Sequence, residues 1–550
     1  MLAWLKDYRR GWLAGDLGAG AVVAMMMIPQ GMAYALVAGL PPVTGIYASI
    51  VPPLLYAVFG TSSTQSVGPM AIISLMTASV LAPMAAPGSA LYGALAGQLA
   101  LLAGLVLLAC GLLRVGFLAN FFSRPVMNGF TIGSSILIAH GQLGVLLGAR
   151  LPHWHRPSAA LGLGALALLL LARRYGARLL QRCGLAPGAA DIGARLAPML
   201  LVAGSIAAVA ALGLDRMGVQ VIGRVPAGLP RLNLAASGAH WQQLFQPALL
   251  IGFMCFLISM SGAQALAARK GEKLHTNAEL VGLGAANVGS FLSGGFPVTG
   301  SLSRSAVNFA AGANTPLAAV VAAALLGAAL VLPTGWLALL PLPVLAATII
   351  VAVLGMLESA TLRTAWRYDR ADALALLATL GGVLLLGVEA GVVVGLLLSL
   401  GAMIWRESRP HIAVLGRIAG TEHFRNVERY QAETRSGVLL LRVDAGLFFG
   451  NIEAVNARVE EELDLHPGTR ELVLVLSAVN AIDTSALFGL LELNGEVVRR
   501  GVRLHLAEVK GPVMDRLKQS KLLERLSGQV FLSTANAWNT LSTGDESWSV

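Results

Sequence analysis

The chain has 550 residues, 56% hydrophobic and only 12% charged, about half the charged share of an ordinary soluble domain. Apolar runs long enough to cross a bilayer recur from residue 13 to residue 404, which excludes a soluble globule and makes this a polytopic membrane protein. The net charge of +10 sits in short clusters between those runs (Lys6, Arg9 and Arg10; Arg173, Arg174, Arg178 and Arg182; Arg269, Lys270 and Lys273; Arg363, Arg367 and Arg370). That is the pattern of cytoplasmic loops and not of a nucleic-acid surface.

The opening MLAWLKDYRRGWLAGD is short, charged and runs straight into the first span, so no cleavable signal peptide is expected. The first span carries MMMIPQGMAYALVAGLPP. Pro29 disrupts the helix ladder and Gln30 puts an amide in mid-membrane. Two readings stand: a kink whose freed carbonyls Gln30 satisfies, or a cavity wall built from Gln30 and Tyr34. Met25, Met26 and Met27 read as packing.

Next comes GTSSTQSVGP, and from Val67 an apolar segment too short to span. His153 and His155 flank Trp154 in RLPHWHRP, which reads as an aromatic belt at the outer interface and not as a metal site. The cysteines Cys110, Cys183 and Cys255 are scattered, so no disulfide framework or metal site is expected. A basic loop near residues 173–195 divides the membrane part. Beyond it the pattern repeats: FPVTGSLSRSAVNFAAG, with a second short segment starting near Ser301.

Paired short, Gly/Pro-interrupted segments at matching places in two halves point to an inverted-repeat transporter. The expectation is an α-helical polytopic protein of about fourteen segments in two inverted seven-segment repeats, about 1–190 and 191–405, with the third and tenth as half-helices. With a cytoplasmic N-terminus the basic clusters fall inside. The outer loops then hold only Arg150, Arg156, Arg216, Arg224 and Arg231.

A broken helix leaves unpaired N–H groups and a partial positive charge at its N-terminus, tolerated at membrane depth only in protein or beside a wet cavity. Two such ends facing each other make a site for a small anion. Gly68 and Gly300 allow close backbone approach, and Ser66, Ser301 and Ser303 offer hydroxyls. Arg304 carries a permanent charge that costs roughly 2.5–3.5 kcal/mol at mid-membrane on insertion scales. It either sets the electrostatics of an anion site or is a structural tie to carbonyls or to a carboxylate such as Glu389.

After Trp405 the composition changes. Residues 406–435 read as a charged connector, 436–541 as a soluble α/β domain, and 542–550 as a polar tail. GVLLLRVDAGLFFG and ELVLVLSAVNAI read as buried strands, NIEAVNARVEEELDL and SALFGLLELNGEVVRRG as amphipathic helices. Asp483, Thr484 and Ser485 sit where a strand meets a helix. Helix capping by Asp483 is the favoured role, and phosphorylation at Ser485 is the regulatory alternative.

The run IPQGMAYALVAGLPPVTGIYASIVPPLLYAVFGTSSTQSVGPMAIISLM closely resembles the opening signature of the sulfate permease (SulP) family. ELVGLGAANVGSFLSGGFPVTGSLSRSAVNFAAGANTPLA resembles its ninth-to-tenth-segment signature, and LPLPVLAATIIVAVLGML its twelfth. VLSAVNAIDTSALFGLLEL is similar to the sulfate-transporter/anti-sigma-antagonist (STAS) domain. The resemblance implies a fourteen-segment core and gate with a C-terminal STAS domain, a homodimer in the cell inner membrane, and a cytoplasmic N-terminus and STAS domain. It implies a small anion as partner, held between the third and tenth half-helices near Gln30, Tyr34, Ser66, Val67, Gly68, Ser301, Ser303 and Arg304. Sulfate is favoured, with bicarbonate, chloride or dicarboxylate as further family substrates.

One departure stands out. Where many members have an acidic residue in the eighth segment, CFLISMSGAQALA places Ile258, and no Asp or Glu occurs from Gln246 to Ala267. A buried carboxylate is the natural proton or sodium coupling group, so exchange, uniport or a channel gains weight over symport. A membrane sensor signalling through the STAS domain is the non-transport alternative. No catalytic constellation, cofactor motif or phosphate-binding loop is present, so neither an enzyme nor primary active transport is expected.

Overall fold

The structure is a computed structural model and describes residues 3–6, 8–117, 123–148, 155–184, 186–223, 225–230, 232, 240–332, 334–357 and 359–543. It divides into two compact units, Met1–Ser399 and Leu400–Val550. Arg150, His153, Trp154, Arg224, Arg231 and the tail from residue 544 lie outside the described residues.

Among the described residues the membrane unit runs through fourteen segments in chain order. The first is Leu13–Val37, helical straight through Pro29. The second is cut by prolines into Pro42–Tyr47 and Val51–Phe59. The third is the short helix Ala71–Leu81. Ala90–Leu112, Arg124–Leu147, Arg156–Arg182 and Ala197–Leu212 complete the first half. The second half holds Trp241–Lys270, Thr276–Leu292, the nine-residue Leu302–Ala310, Leu317–Val331, Leu342–Leu354, Arg370–Leu386 and Val388–Glu407. The third and tenth segments are half-helices, as the inverted repeat requires.

The segments sort into two bundles. The first to fourth pack with the eighth to eleventh, and the fifth and sixth pack with the twelfth and thirteenth. Lipid supplies little hydrophobic drive between helices, so close packing through small residues matters most. Gly104 and Gly284 face each other across the fourth and ninth segments, each leaving too little room for a Cβ against the other's carbonyl. A Cβ at Gly129 would overlap the Leu376 carbonyl, which joins the fifth and thirteenth segments as closely.

Arg173, Arg174, Arg178 and Arg182, expected in a loop, lie on the last turns of the sixth segment. That helix has 27 residues, about 40 Å at 1.5 Å per residue. It therefore outruns the hydrocarbon core by two turns, where arginine is tolerated.

The second unit is built on a six-stranded sheet. In spatial order its strands are Phe424–Asn426, Ile412–Arg417, Val438–Val443, Glu471–Val475, Arg503–Ala507 and Val530–Phe531. The last four pair in parallel, and the first two are antiparallel additions. The stretch 406–435, read as a connector, thus contributes two strands. Charged neighbours concealed the alternation in Ile412–Arg417, where Ala413 and Leu415 are buried. Separate apolar cores cover the two sheet faces.

Candidate functional site at the crossed half-helices

Pro69 and Pro297 deny the chain a helix just before each half-helix. The lead-ins instead run extended and pair as a two-residue antiparallel ladder, Val67 with Gly300 and Gly68 with Thr299. The ladder is continued by the Ser301 amide donating to the Ser66 carbonyl at 3.0 Å. The Ser66 amide donates to Ser305 Oγ at 2.8 Å. The two half-helices therefore start just past a shared crossing, at Ala71 and Leu302, each with N–H groups that no side chain caps.

Side chains from neighbouring helices fix this crossing. Asn287 on the ninth segment brackets Val298, accepting from its N–H at 2.9 Å and donating to its carbonyl at 3.0 Å. Thr299 Oγ1 donates to the Cys255 carbonyl at 2.5 Å. Gln65 Nε2 donates to Ser259 Oγ at 2.7 Å, and Asn308 Nδ2 to the Thr64 carbonyl at 3.0 Å. Gly300 is obligatory, because a Cβ there would overlap the Gln65 amide.

Arg304 is the largest fully buried side chain among the described residues, 1% exposed. Its Nη1 donates to the Pro69 carbonyl at 2.8 Å, while Nε and Nη2 have no partner. The guanidinium stands against Gly68, where an added Cβ would lie 3.4 Å from Nη2. It is close enough to the Tyr34 phenol for the two to interact electrostatically. Buried donors are almost always paired, so two unpartnered guanidinium nitrogens beside two uncapped helix starts are an exception that an added acceptor would satisfy. Glu389 does not supply it: the tie is to a carbonyl, and Glu389 lines a separate cleft.

The remaining sequence candidates fall around this point. Ser66, Val67, Gly68 and Ser301 are buried in the crossing. Ser303 is exposed next to Leu302, and its hydroxyl lies 3.2 Å from that of Ser301. Tyr34 is buried and Gln30 half-buried on the first segment, and Gln30 makes no hydrogen bond to any described residue. Ile258 is half-buried among apolar neighbours; the eighth segment meets the crossing through the Cys255 carbonyl and Ser259 instead.

Sequence reading missed a second layer that holds these residues. Glu279, buried at the start of the ninth segment, accepts from Tyr56 Oη (2.5 Å), Thr61 N (2.7 Å), Thr61 Oγ1 (2.5 Å) and Ser62 N (3.0 Å). It pins the stretch leading into the first strand. Asp16 does the same for the end of the second half-helix, accepting from Asn314 N (2.7 Å), Thr315 N (3.0 Å) and Thr315 Oγ1 (2.7 Å). The signal was present as carboxylates at the ends of apolar spans.

In the second unit, Asp483 caps the helix Thr484–Arg499 by accepting from Ala486 N at 2.8 Å, and its other oxygen accepts from Phe449 N at 2.9 Å. Thr484 and Ser485 are exposed at that helix start. Among the described residues no group of three or more His, Cys, Asp or Glu could hold a metal ion.

Residues 13–379 match the family model described as the sulfate permease family, and residues 429–537 match the STAS domain. A probable sulfate transporter of Mycobacterium tuberculosis is 35% identical, with 97% of this chain and 96% of that protein covered. Probable sulfate transporter 4.2 of Arabidopsis thaliana is 33% identical, with 96% and 81% covered. The murine Slc26a9 anion transporter, solved in an inward-facing state, superposes with a TM-score of 0.89 at 21% identity, covering 98% of this chain and 93% of that one. The transmembrane domain of the cyanobacterial bicarbonate transporter BicA gives 0.58 at 22%, with 72% and 99% covered. With its two inverted seven-segment repeats, crossed half-helices and C-terminal STAS domain, this multi-pass membrane protein belongs to the sulfate permease family, a family of transporters and not of enzymes.

Proposed function

We propose that the chain is a secondary transporter of small anions, bound where the third and tenth half-helices meet and moved by alternating access. The observation that carries this is the buried Arg304 guanidinium with Nε and Nη2 unpartnered beside Gly68 and the start of the second half-helix. Hydrogen bonds from charged donors are the strong ones, and helix starts add a partial positive charge. An oxyanion satisfies both at once.

A cavity of about 10 Å³ lies behind the crossing, between Ser66, Asn308 and Met27. It has room for about one water and none for an oxyanion, which supports placing the anion on the other side, where Leu302 and Ser303 are exposed. The two-bundle packing fits a core (segments one to four and eight to eleven) that carries the anion past a gate made from the rest. We assign residues 1–405 to transport and 436–541, extended by the two strands upstream, to the STAS domain. The basic helix ends support a cytoplasmic N-terminus and STAS domain in the inner membrane, with the protein acting as a homodimer.

Sulfate is the favoured substrate, because the relatives that match most of the chain bear that name; bicarbonate and dicarboxylates are the next candidates. The eighth segment offers no carboxylate at the crossing, only Ser259 already bonded to the neutral amide of Gln65. That favours exchange or uniport over symport through this helix. The test is uptake of labelled sulfate, bicarbonate and succinate by the purified full chain in proteoliposomes. Saturable uptake that unlabelled anion competes supports the reading. Wild-type protein that carries none of the three overturns it.

A further inference from the structure

A second cavity, about 370 Å³, opens between the two bundles away from the crossing. Three elements meet there: the end of the third segment and the turn after it (Ser79, Met84), the start of the eighth (Gln243, Pro247) and the turn into the fourteenth (Leu386, Glu389). The eighth segment ends in Arg269 and Lys270, so this cleft lies at the end of the bundle remote from those basic residues. Glu389 is half-buried in it, and no hydrogen bond or ion pair ties it to a described residue. No other lining residue from any of the three elements is titratable or charged. An unpaired carboxylate is a strange wall for a path that anions must take.

We propose that Glu389 is a titratable charge filter on the non-cytoplasmic route to the anion site. This rests on the transport reading above. When the core moves so that the crossing faces that side, the gap between the third and eighth segments and the fourteenth is the way in. An ionised Glu389 repels an entering anion, on the order of tenfold in rate per unit of anion charge at distances near 6–8 Å in a partly polar environment. A proton taken from the bulk on that side converts the carboxylate to a neutral carboxylic acid and removes the repulsion. Because the eighth segment has no acid of its own, this single group gives anion entry a dependence on pH on one face only.

The test uses membrane vesicles holding the full chain, with pH varied on each face in turn between about 7.5 and 4.5, the range over which carboxylates in proteins commonly titrate. The probes are labelled sulfate and chloride, neither of which changes charge in that window. Wild-type entry rises as the non-cytoplasmic face is acidified, by about tenfold for chloride and more steeply for the doubly charged sulfate. Glu389→Gln is fast and flat across the range, and Glu389→Asp restores the dependence. The proposal is overturned if Glu389→Gln keeps the wild-type profile, if wild type is flat on both faces, or if chloride and sulfate respond equally. Absence of flux of either anion at every pH overturns the filter, and it overturns the transport reading as well if the same vesicles carry neither bicarbonate nor succinate.

Discussion

Replacing Arg304 with Met separates an anion-binding arginine from a structural one, because the two roles predict opposite changes in stability. Without anion, the side chain has one hydrogen bond, to the Pro69 carbonyl, worth about 1.5–3 kcal/mol for a charged donor. Against it stands the cost of burying the charge, about 2.5–3.5 kcal/mol on insertion scales. Those terms nearly cancel, so Arg304→Met should leave the anion-free protein within about 1–2 kcal/mol of wild type. Anion binding should suffer far more. A unit charge pair about 4 Å apart at an effective dielectric near 20 is worth about 4 kcal/mol, roughly a thousandfold in affinity. Sulfate at a hundred times the wild-type Kd stabilises the wild type by about 2.7 kcal/mol; at that concentration the variant should gain less than about 0.1 kcal/mol. Thermal unfolding of the purified chain, with and without sulfate, reads both quantities. A variant that loses several kcal/mol without anion, or that sulfate stabilises as it does wild type, would refute the reasoning.

Gly300→Ala should abolish transport in correctly inserted protein, because its Cβ overlaps the buried Gln65 amide and reaches Ser259 Oγ. The double change Gly300→Ala with Gln65→Ala should recover part of it, as measured by uptake, and no recovery would place the obstruction elsewhere. Glu279→Ala leaves Tyr56 Oη and the Thr61 and Ser62 amides buried without their acceptor. It should cost about 3 kcal/mol or more in thermal unfolding, whereas Glu279→Gln keeps part of the network and should cost less. In the STAS domain, burial depresses the His505 pKa below its ordinary value, outweighing the raising effect of Glu471. Its Nδ1 accepts from Gln529 N at 2.9 Å, so a second ring proton would face a donor. Both states are neutral above about pH 6.5; below it the unfolded chain takes up a proton that the folded one resists, and stability falls. Denaturation of the intact protein between pH 7.5 and 5.5 should show this in the STAS transition, and His505→Gln should flatten it. An unchanged slope would assign the pH dependence to another group.

The crossing was legible in the sequence because it breaks a strong pattern. Glycine, proline and serine clustered twice within apolar runs, at Ser66–Pro69 and Pro297–Ser303, and the structure pairs Ser66–Gly68 with Thr299–Ser301 residue by residue. Pro29 misled in a modest way: it stands inside a continuous helix, since neighbouring segments and local adjustment can satisfy the freed carbonyl in a bundle. Asp16 and Glu279 went unread because each partner is distant in sequence, as with Glu279 and Tyr56, 223 residues apart. Each carboxylate at the end of an apolar span was a signal, but nothing local named its partner. The strands within 406–435 were hidden for a related reason. Charged and polar residues flank Ile412–Arg417 on both sides in sequence, and that masked the burial of Ala413 and Leu415.

The most direct test of the central claim is to locate the anion. Selenate has the shape and charge of sulfate and scatters anomalously, so crystals of the full chain grown in selenate report its position independently of any transport assay. An anomalous peak is expected within hydrogen-bonding reach of Arg304 Nε or Nη2 and the Ser301–Ser303 helix start, lost in Arg304→Met. A peak elsewhere with this site empty, or one that persists unchanged in the variant, would contradict it.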